Sequence, residues 1–132
     1  SRARRFRRAC GGMLNLDTHI LLGTLSGTLA PGERDLIRGQ KLAISDIVLW
    51  ELAKLSQLGR IEFEFDDSIF RKVMRQLTVY PITPQIARQS AALDFRSDPA
   101  DEIIAATSIV ERIPLLTRDR KILKSRMVPF AE

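Results

Sequence analysis

Residues 14–22 read LNLDTHILL, an apolar run that ends in a carboxylate and continues at once into a second apolar run. The first part, residues 14–17, suits a buried strand, and residues 20–25 suit a helix entered directly from it. Asp17 is therefore expected at the end of a strand. The same alternation continues outward. Ala30-Pro31-Gly32 predicts a turn, residues 33–38 one or two helical turns stopped by Gly39, and residues 42–44 a second strand. Ser45 is suited to cap a long helix over 46–58, with Gly59 just past its end. Asp66 and Asp67 precede an amphipathic stretch at 69–77 and are read as helix-capping charges. Residues 78–80 form a brief strand, Thr83-Pro84 opens a helix over 85–93, and Asp98-Pro99 opens another that runs to about Arg112 before Pro114 breaks it. A strand at 115–117, a short helix at 119–124 and a strand at 127–130 complete the chain.

Strands that alternate with helices predict an α/β fold, a central parallel sheet flanked by helices in three layers, with any site at the carboxyl ends of the strands. At 132 residues and 45% hydrophobic, the chain fits one domain with a real apolar core. No apolar run approaches the roughly 18 residues of a membrane span, and no signal-peptide pattern is present, so a cytoplasmic protein is expected. The lone Cys10 excludes an internal disulfide framework and a cysteine-based zinc site, which fits a reducing compartment.

The net charge of +5 invites a nucleic-acid reading, but it is unevenly placed. Arg2, Arg4, Arg5, Arg7 and Arg8 account for all of it, and from residue 13 onward acidic and basic residues are equal in number. Residues 1–12 have no hydrophobic period and end in Gly11-Gly12, so they are expected to be a disordered or non-native basic tail, with the folded domain over 13–132. Charge is then no guide to the partner.

The acids are a better guide. On the helix expected at 46–58, positions 44, 47, 48, 51, 52, 55 and 58 share a face that reads Ile, Ile, Val, Glu, Leu, Leu, Leu. Glu51 interrupts an apolar stripe, and a carboxylate in such a place needs a cation or hydrogen-bond donors. An arginine or a helix edge near solvent would serve as well as a metal ion. Asp17, Asp98, Asp101 and Asp119 each begin a helix and can be explained singly as caps or first-turn acids. Gathered at the active edge of a sheet, however, these carboxylates would repel one another unless hard divalent cations neutralised them. Phosphodiester hydrolysis is the chemistry such a site suits.

Three stretches, LNLDTHILL at 14–22, ISDIVLWELAKLSQLGRIEF at 44–63 and RSDPADEIIAATSIVERIPLLTRDRKI at 96–122, together resemble the PIN-domain ribonucleases, and within them the VapC-type toxins of toxin–antitoxin pairs. The resemblance runs from Met13 to the C-terminus. It implies a PIN-like fold, Mg²⁺- or Mn²⁺-dependent endoribonuclease activity with 5′-phosphate and 3′-hydroxyl products, a homodimer, and a VapB-type antitoxin that covers the acidic site. By position, the four family acids fall on Asp17, Glu51, Asp101 and Asp119, with Asp98 a further candidate for the metal shell. Thr18 or Ser45 is expected to hydrogen-bond a ligand, and Arg118 to reach a phosphate. His19 is read as a packed or capping side chain, and Trp50 as core or partner interface.

Three rival readings remain at this level. A haloacid-dehalogenase-type phosphatase also begins with a strand ending in aspartate, but it needs a second aspartate two residues on, where this chain has His19. A receiver-like domain could hold a structural ion without turnover. A nuclease of the same fold could act on DNA.

Overall fold

The computed structural model describes residues 5–6, as backbone, and 12–132. The expected basic tail over 1–12 lies almost wholly outside the described residues. Among them, six parallel strands form one sheet in the order β1-β6-β5-β2-β3-β4: β1 (Arg5–Phe6), β2 (Met13–Leu16), β3 (Lys41–Ser45), β4 (Thr78–Tyr80), β5 (Leu115–Leu116) and β6 (Phe130–Ala131). Helices fill the connections: α1 (Thr18–Ser26) and α2 (Pro31–Ile37) lead to β3, and α3 (Ile47–Gln57) and α4 (Ser68–Met74) lead to β4. Then α5 (Pro84–Ser90) and α6 (Pro99–Glu111) carry the chain back across the sheet to β5, and α7 (Arg120–Leu123) precedes β6. The expected α/β architecture is the one observed.

The order of strands decides where a site can form. From β2 the chain moves outward through β3 to β4, then returns on the other side of β2 as β5. Connections leave these two neighbours in opposite directions, so a crevice opens between their carboxyl ends. Burial follows from the same arrangement: Leu14, Asn15 and Leu16 are consecutive and all buried, as a strand covered on both faces requires. Around them pack Ile20 and Leu21 of α1, Val48 and Leu52 of α3, and Ile104 and Ala105 of α6. Removing one such side chain, for example Leu52→Ala, costs about 2–5 kcal/mol. Asn15 is the polar exception. Its amide donates to Ile104 O at 3.2 Å and to Ser108 Oγ at 2.9 Å, which ties the central strand to α6.

Local capping explains most helix starts. Asp67 accepts from Phe70 N at 3.0 Å and Thr83 from Ile86 N at 3.1 Å. α1 ends where Gly27 takes the left-handed conformation, φ 71°, which a side chain would disfavour. Four sequence expectations are corrected. Pro31 and Gly32 are not a turn but the first residues of α2, because proline's fixed φ suits that position and Glu33 Oε1 accepts from Ala30 N at 2.8 Å. Ser45 ends β3, and α3 begins after Asp46, although the Ser45 hydroxyl still accepts from Ile47 N at 3.2 Å. Leu58 leaves the apolar face because α3 stops at Gln57, and it is 64% exposed. The last strand starts at Phe130 instead of 127, because Asp94 grips Ser125 Oγ and Arg126 N, both at 2.6 Å, while Ser125 Oγ accepts from Met127 N and Val128 N. Those bonds hold a turn where the apolar pattern suggested a strand.

Candidate active site

Asp17 leaves β2 and Asp119 follows β5, so the two acids stand on either side of the crevice between these strands. The register, Leu16 opposite Leu116, carries on to set Asp17 beside Thr117. Thr117 Oγ1 donates to Asp17 Oδ2 and accepts from Asp119 N, so one hydroxyl links both acids. The other Asp17 oxygen caps α1 by accepting from Ile20 N at 2.9 Å. Asp119 caps α7 with Oδ1, which accepts from Lys121 N and Ile122 N at 2.8 and 3.2 Å. Capping is thus real for both residues, and it fixes their carboxylates at the edge of the sheet.

Glu51 comes from α3 and Asp101 from the first turn of α6, and these two helices pack against each other. Glu51 accepts the Thr18 hydroxyl, and Asp101 Oδ2 accepts from Ser97 Oγ at 2.8 Å. Asp98 occupies the cap position of α6 without making a side-chain cap bond. All five predicted acids line a single cavity of about 370 Å³, together with Thr18, His19 and Arg118. Ser45 does not line it. A larger cavity of about 620 Å³, lined by Leu22, Leu25 and residues between 62 and 70 among others, contains none of the five.

The electrostatics are those of crowded acids. Burial raises the pKa of Asp101 from 3.8 to about 6; the Ser97 hydrogen bond opposes the rise, and the charges of Glu51, Asp119 and Asp98 add to it. Asp17 is also raised, by burial first, against the Thr117 and Ile20 hydrogen bonds. At the edge of the cavity, Arg118 donates to both oxygens of Glu33 at 2.6 and 2.7 Å, and this hydrogen bonding holds the Glu33 carboxyl below its usual range.

Among the described residues, no group of three or more His, Cys, Asp or Glu side chains is arranged to chelate an ion as it stands. Asp17, Glu51 and Asp101 are each turned towards a hydroxyl, which is where a carboxylate goes when protein donors are its best partners. Five carboxylates, hard oxygen donors gathered around one cavity, nevertheless fit divalent cations of the Mg²⁺ kind in chemistry.

The hydroxyls of Thr117 and Ser97 were given no role by sequence reasoning. A signal existed for the first, a hydroxyl two residues before an acid in Thr117-Arg118-Asp119, but its bond to Asp17 spans 100 residues. His19, expected to pack or cap, is exposed on the cavity, since Asp17 does the capping. Trp50 is not core. It is 52% exposed, with Lys54 Nζ 5.9 Å from its ring centroid.

The PIN-domain profile matches residues 15–126. Ribonuclease VapC22 of Mycobacterium tuberculosis is 34% identical over 89 residues, which cover 65% of this chain and 68% of that protein. Among solved structures, a toxin–antitoxin complex from Klebsiella pneumoniae is similar at a TM-score of 0.64 and 23% identity, over 84% of this chain and 90% of that one. VapBC2 from Rickettsia felis, bound to a promoter DNA fragment, is similar at 0.67 and 19%, over 89% and 96%. At these identities the structural likeness concerns the fold.

Proposed function

The chain belongs to the PIN-domain family, and from that premise we propose that it is the ribonuclease toxin of a toxin–antitoxin pair, hydrolysing RNA phosphodiester bonds at its carboxylate cavity. One observation carries the reading: five acids, brought from the ends of β2 and β5, from α3 and from the start of α6, line a single cavity at the switch point of the sheet, where burial first and then the charges of Glu51, Asp119 and Asp98 raise Asp101 to about 6. The VapC22 relative, named a ribonuclease, supports it. Nucleases of the VapC kind use divalent metals, and Mg²⁺ or Mn²⁺ is the ion proposed here.

Asp17, Glu51, Asp101 and Asp119 would hold the metal, and Asp98 would join them or accept from a coordinated water. When bound, such an ion supplies a Lewis acid that activates water near neutral pH and offsets charge building on the phosphoryl oxygens. Thr117 keeps Asp17 and Asp119 at a fixed separation, and Thr18 and Ser97 orient Glu51 and Asp101. These hydroxyls anchor the acids around the cavity, and an ion would draw the carboxylates from them as it binds.

The partners proposed are single-stranded RNA, a small VapB-type antitoxin whose cationic side chain would complement the acidic cavity, and a second copy of the chain. Among the described residues no helix is long and apolar enough to cross a membrane, and the cytoplasm is the proposed compartment. The direct test is purified protein with single-stranded RNA and DNA in Mg²⁺ or Mn²⁺. RNA cleavage that a chelator stops and Asp17→Asn abolishes is expected. Unchanged, chelator-resistant cleavage by that variant, or cleavage of DNA alone, rejects the reading.

A further inference from the structure

An acidic cavity that processes a polyanion must overcome its own repulsion. Five carboxylates line the space into which an RNA phosphate would have to enter, and the body of the chain offers no net positive field to draw it there. Among the described residues lining the cavity, Arg118 is the one with a permanent positive charge. It is half exposed, with 49% of its side chain open to solvent, and close enough to the acids to feel the charge of Asp17.

Its guanidinium is not left to wander. Arg118 Nε donates to Glu33 Oε2 at 2.6 Å and Nη2 to Oε1 at 2.7 Å, a two-pronged pair between residues 85 positions apart. Glu33 is itself anchored, because Oε1 also accepts from Ala30 N at the start of α2 and its side chain is only 15% exposed. Two of the five guanidinium N–H groups are thereby engaged, and three remain to donate. Pairs of this exposure add little to stability. What a fixed fork does supply is orientation, since a guanidinium already held in place loses less freedom when it binds a phosphate.

We propose that Arg118 binds an RNA backbone phosphate at the edge of the cavity, and that Glu33 is the positioning residue that holds its guanidinium there. The proposal rests on the ribonuclease reading and adds to it a substrate contact and a residue, on an element remote from the acids, that aims it. Arg118 acts on ground-state binding, so it governs KM more than kcat, whereas the acids govern kcat.

Single-stranded RNA cleavage in Mg²⁺ is to be measured for the wild type, Arg118→Ala, Arg118→Lys and Glu33→Gln over a range of NaCl concentrations, with thermal melts confirming that each variant folds. For Arg118→Ala, KM is expected to rise roughly tenfold with kcat nearly unchanged, and the slope of log affinity on log salt to weaken by about 0.7, one phosphate contact on a single strand. Arg118→Lys keeps the slope but still raises KM, because an ammonium cannot occupy the fork. Glu33→Gln raises KM several-fold with the slope retained, since the arginine charge remains but is no longer aimed. Wild-type KM and salt slope in Arg118→Ala overturn the contact. A lowered KM in Glu33→Gln overturns the positioning role, as that is the result for a carboxylate that merely masks the arginine. Binding of labelled RNA to Asp17→Asn, with and without Arg118→Ala, reads the contact without turnover. Loss of affinity there, in a protein whose wild type cleaves nothing, would retain the contact and reject the nuclease reading.

Discussion

Replacing Asp101 by asparagine should stabilise the metal-free protein while abolishing its activity. The carboxyl of Asp101 has its pKa raised from 3.8 to about 6, so the folded state binds this proton more tightly than the unfolded chain does. Stability therefore falls as pH rises from about 4 to about 6, and above that range the full penalty of an ionised, crowded carboxylate is present. Taken at face value at 1.36 kcal/mol per pKa unit, the rise corresponds to about 3 kcal/mol. Asp101 is only half-buried, however, and solvent screens it, so about 1 kcal/mol is the reasoned magnitude. Asparagine removes the charge and keeps an oxygen to accept from Ser97 Oγ. For a domain of this length, 1 kcal/mol moves Tm by about 4 °C. Thermal unfolding in a chelator at pH 7 should place the variant about 4 °C above the wild type, and the gap should close near pH 4, where both side chains are neutral. Saturating Mn²⁺ should raise the wild type and leave the variant nearly unmoved. A variant no more stable than the wild type at pH 7, or a gap that does not change with pH, would show that the acids of the cavity do not oppose one another as reasoned.

Two other perturbations probe the supports of the site. Thr117→Val removes the hydroxyl shared by Asp17 and Asp119, leaving Asp17 without a hydrogen bond that lowers its pKa; stability should drop by about 1–3 kcal/mol. In the same variant the acid limb of the pH–rate profile should move to higher pH, because Asp17 then ionises later, and an unmoved limb would mean that Asp17 does not set it. Asn15→Ala cuts the buried link from β2 to Ile104 O and Ser108 Oγ and should cost about 1–3 kcal/mol in urea unfolding, far more than an exposed polar truncation.

The physics of single residues ranked the acids differently from the tertiary structure. Glu51 stood out in the sequence because it breaks an apolar helix face, yet in the fold it is partly buried and satisfied by Thr18. Asp98 looked fully explained as a helix cap, but its side chain makes no cap bond and lines the cavity instead. Asp17 and Asp119 turned out to be caps and cavity acids at once, so capping and a place in the site were never exclusive alternatives.

The sequence by itself determined the order of elements from Met13 onward and the parallel α/β class, and its resemblance to a family picked out the acids. The causes of the element order lie within a few residues of one another: a proline at the first turn, a capping hydroxyl or carboxylate, a glycine at φ 71° after α1. Tertiary structure alone decided that Thr117 bridges Asp17 and Asp119, that Glu33 holds Arg118, and that the last strand waits until Phe130 because Asp94 grips the turn before it. Apart from the local bond between Thr117 and Asp119 N, these contacts join groups 31 to 100 positions apart. Only the register of β2 against β5 and the packing of helices on the sheet bring such partners within hydrogen-bonding distance, so no local pattern in the chain records them.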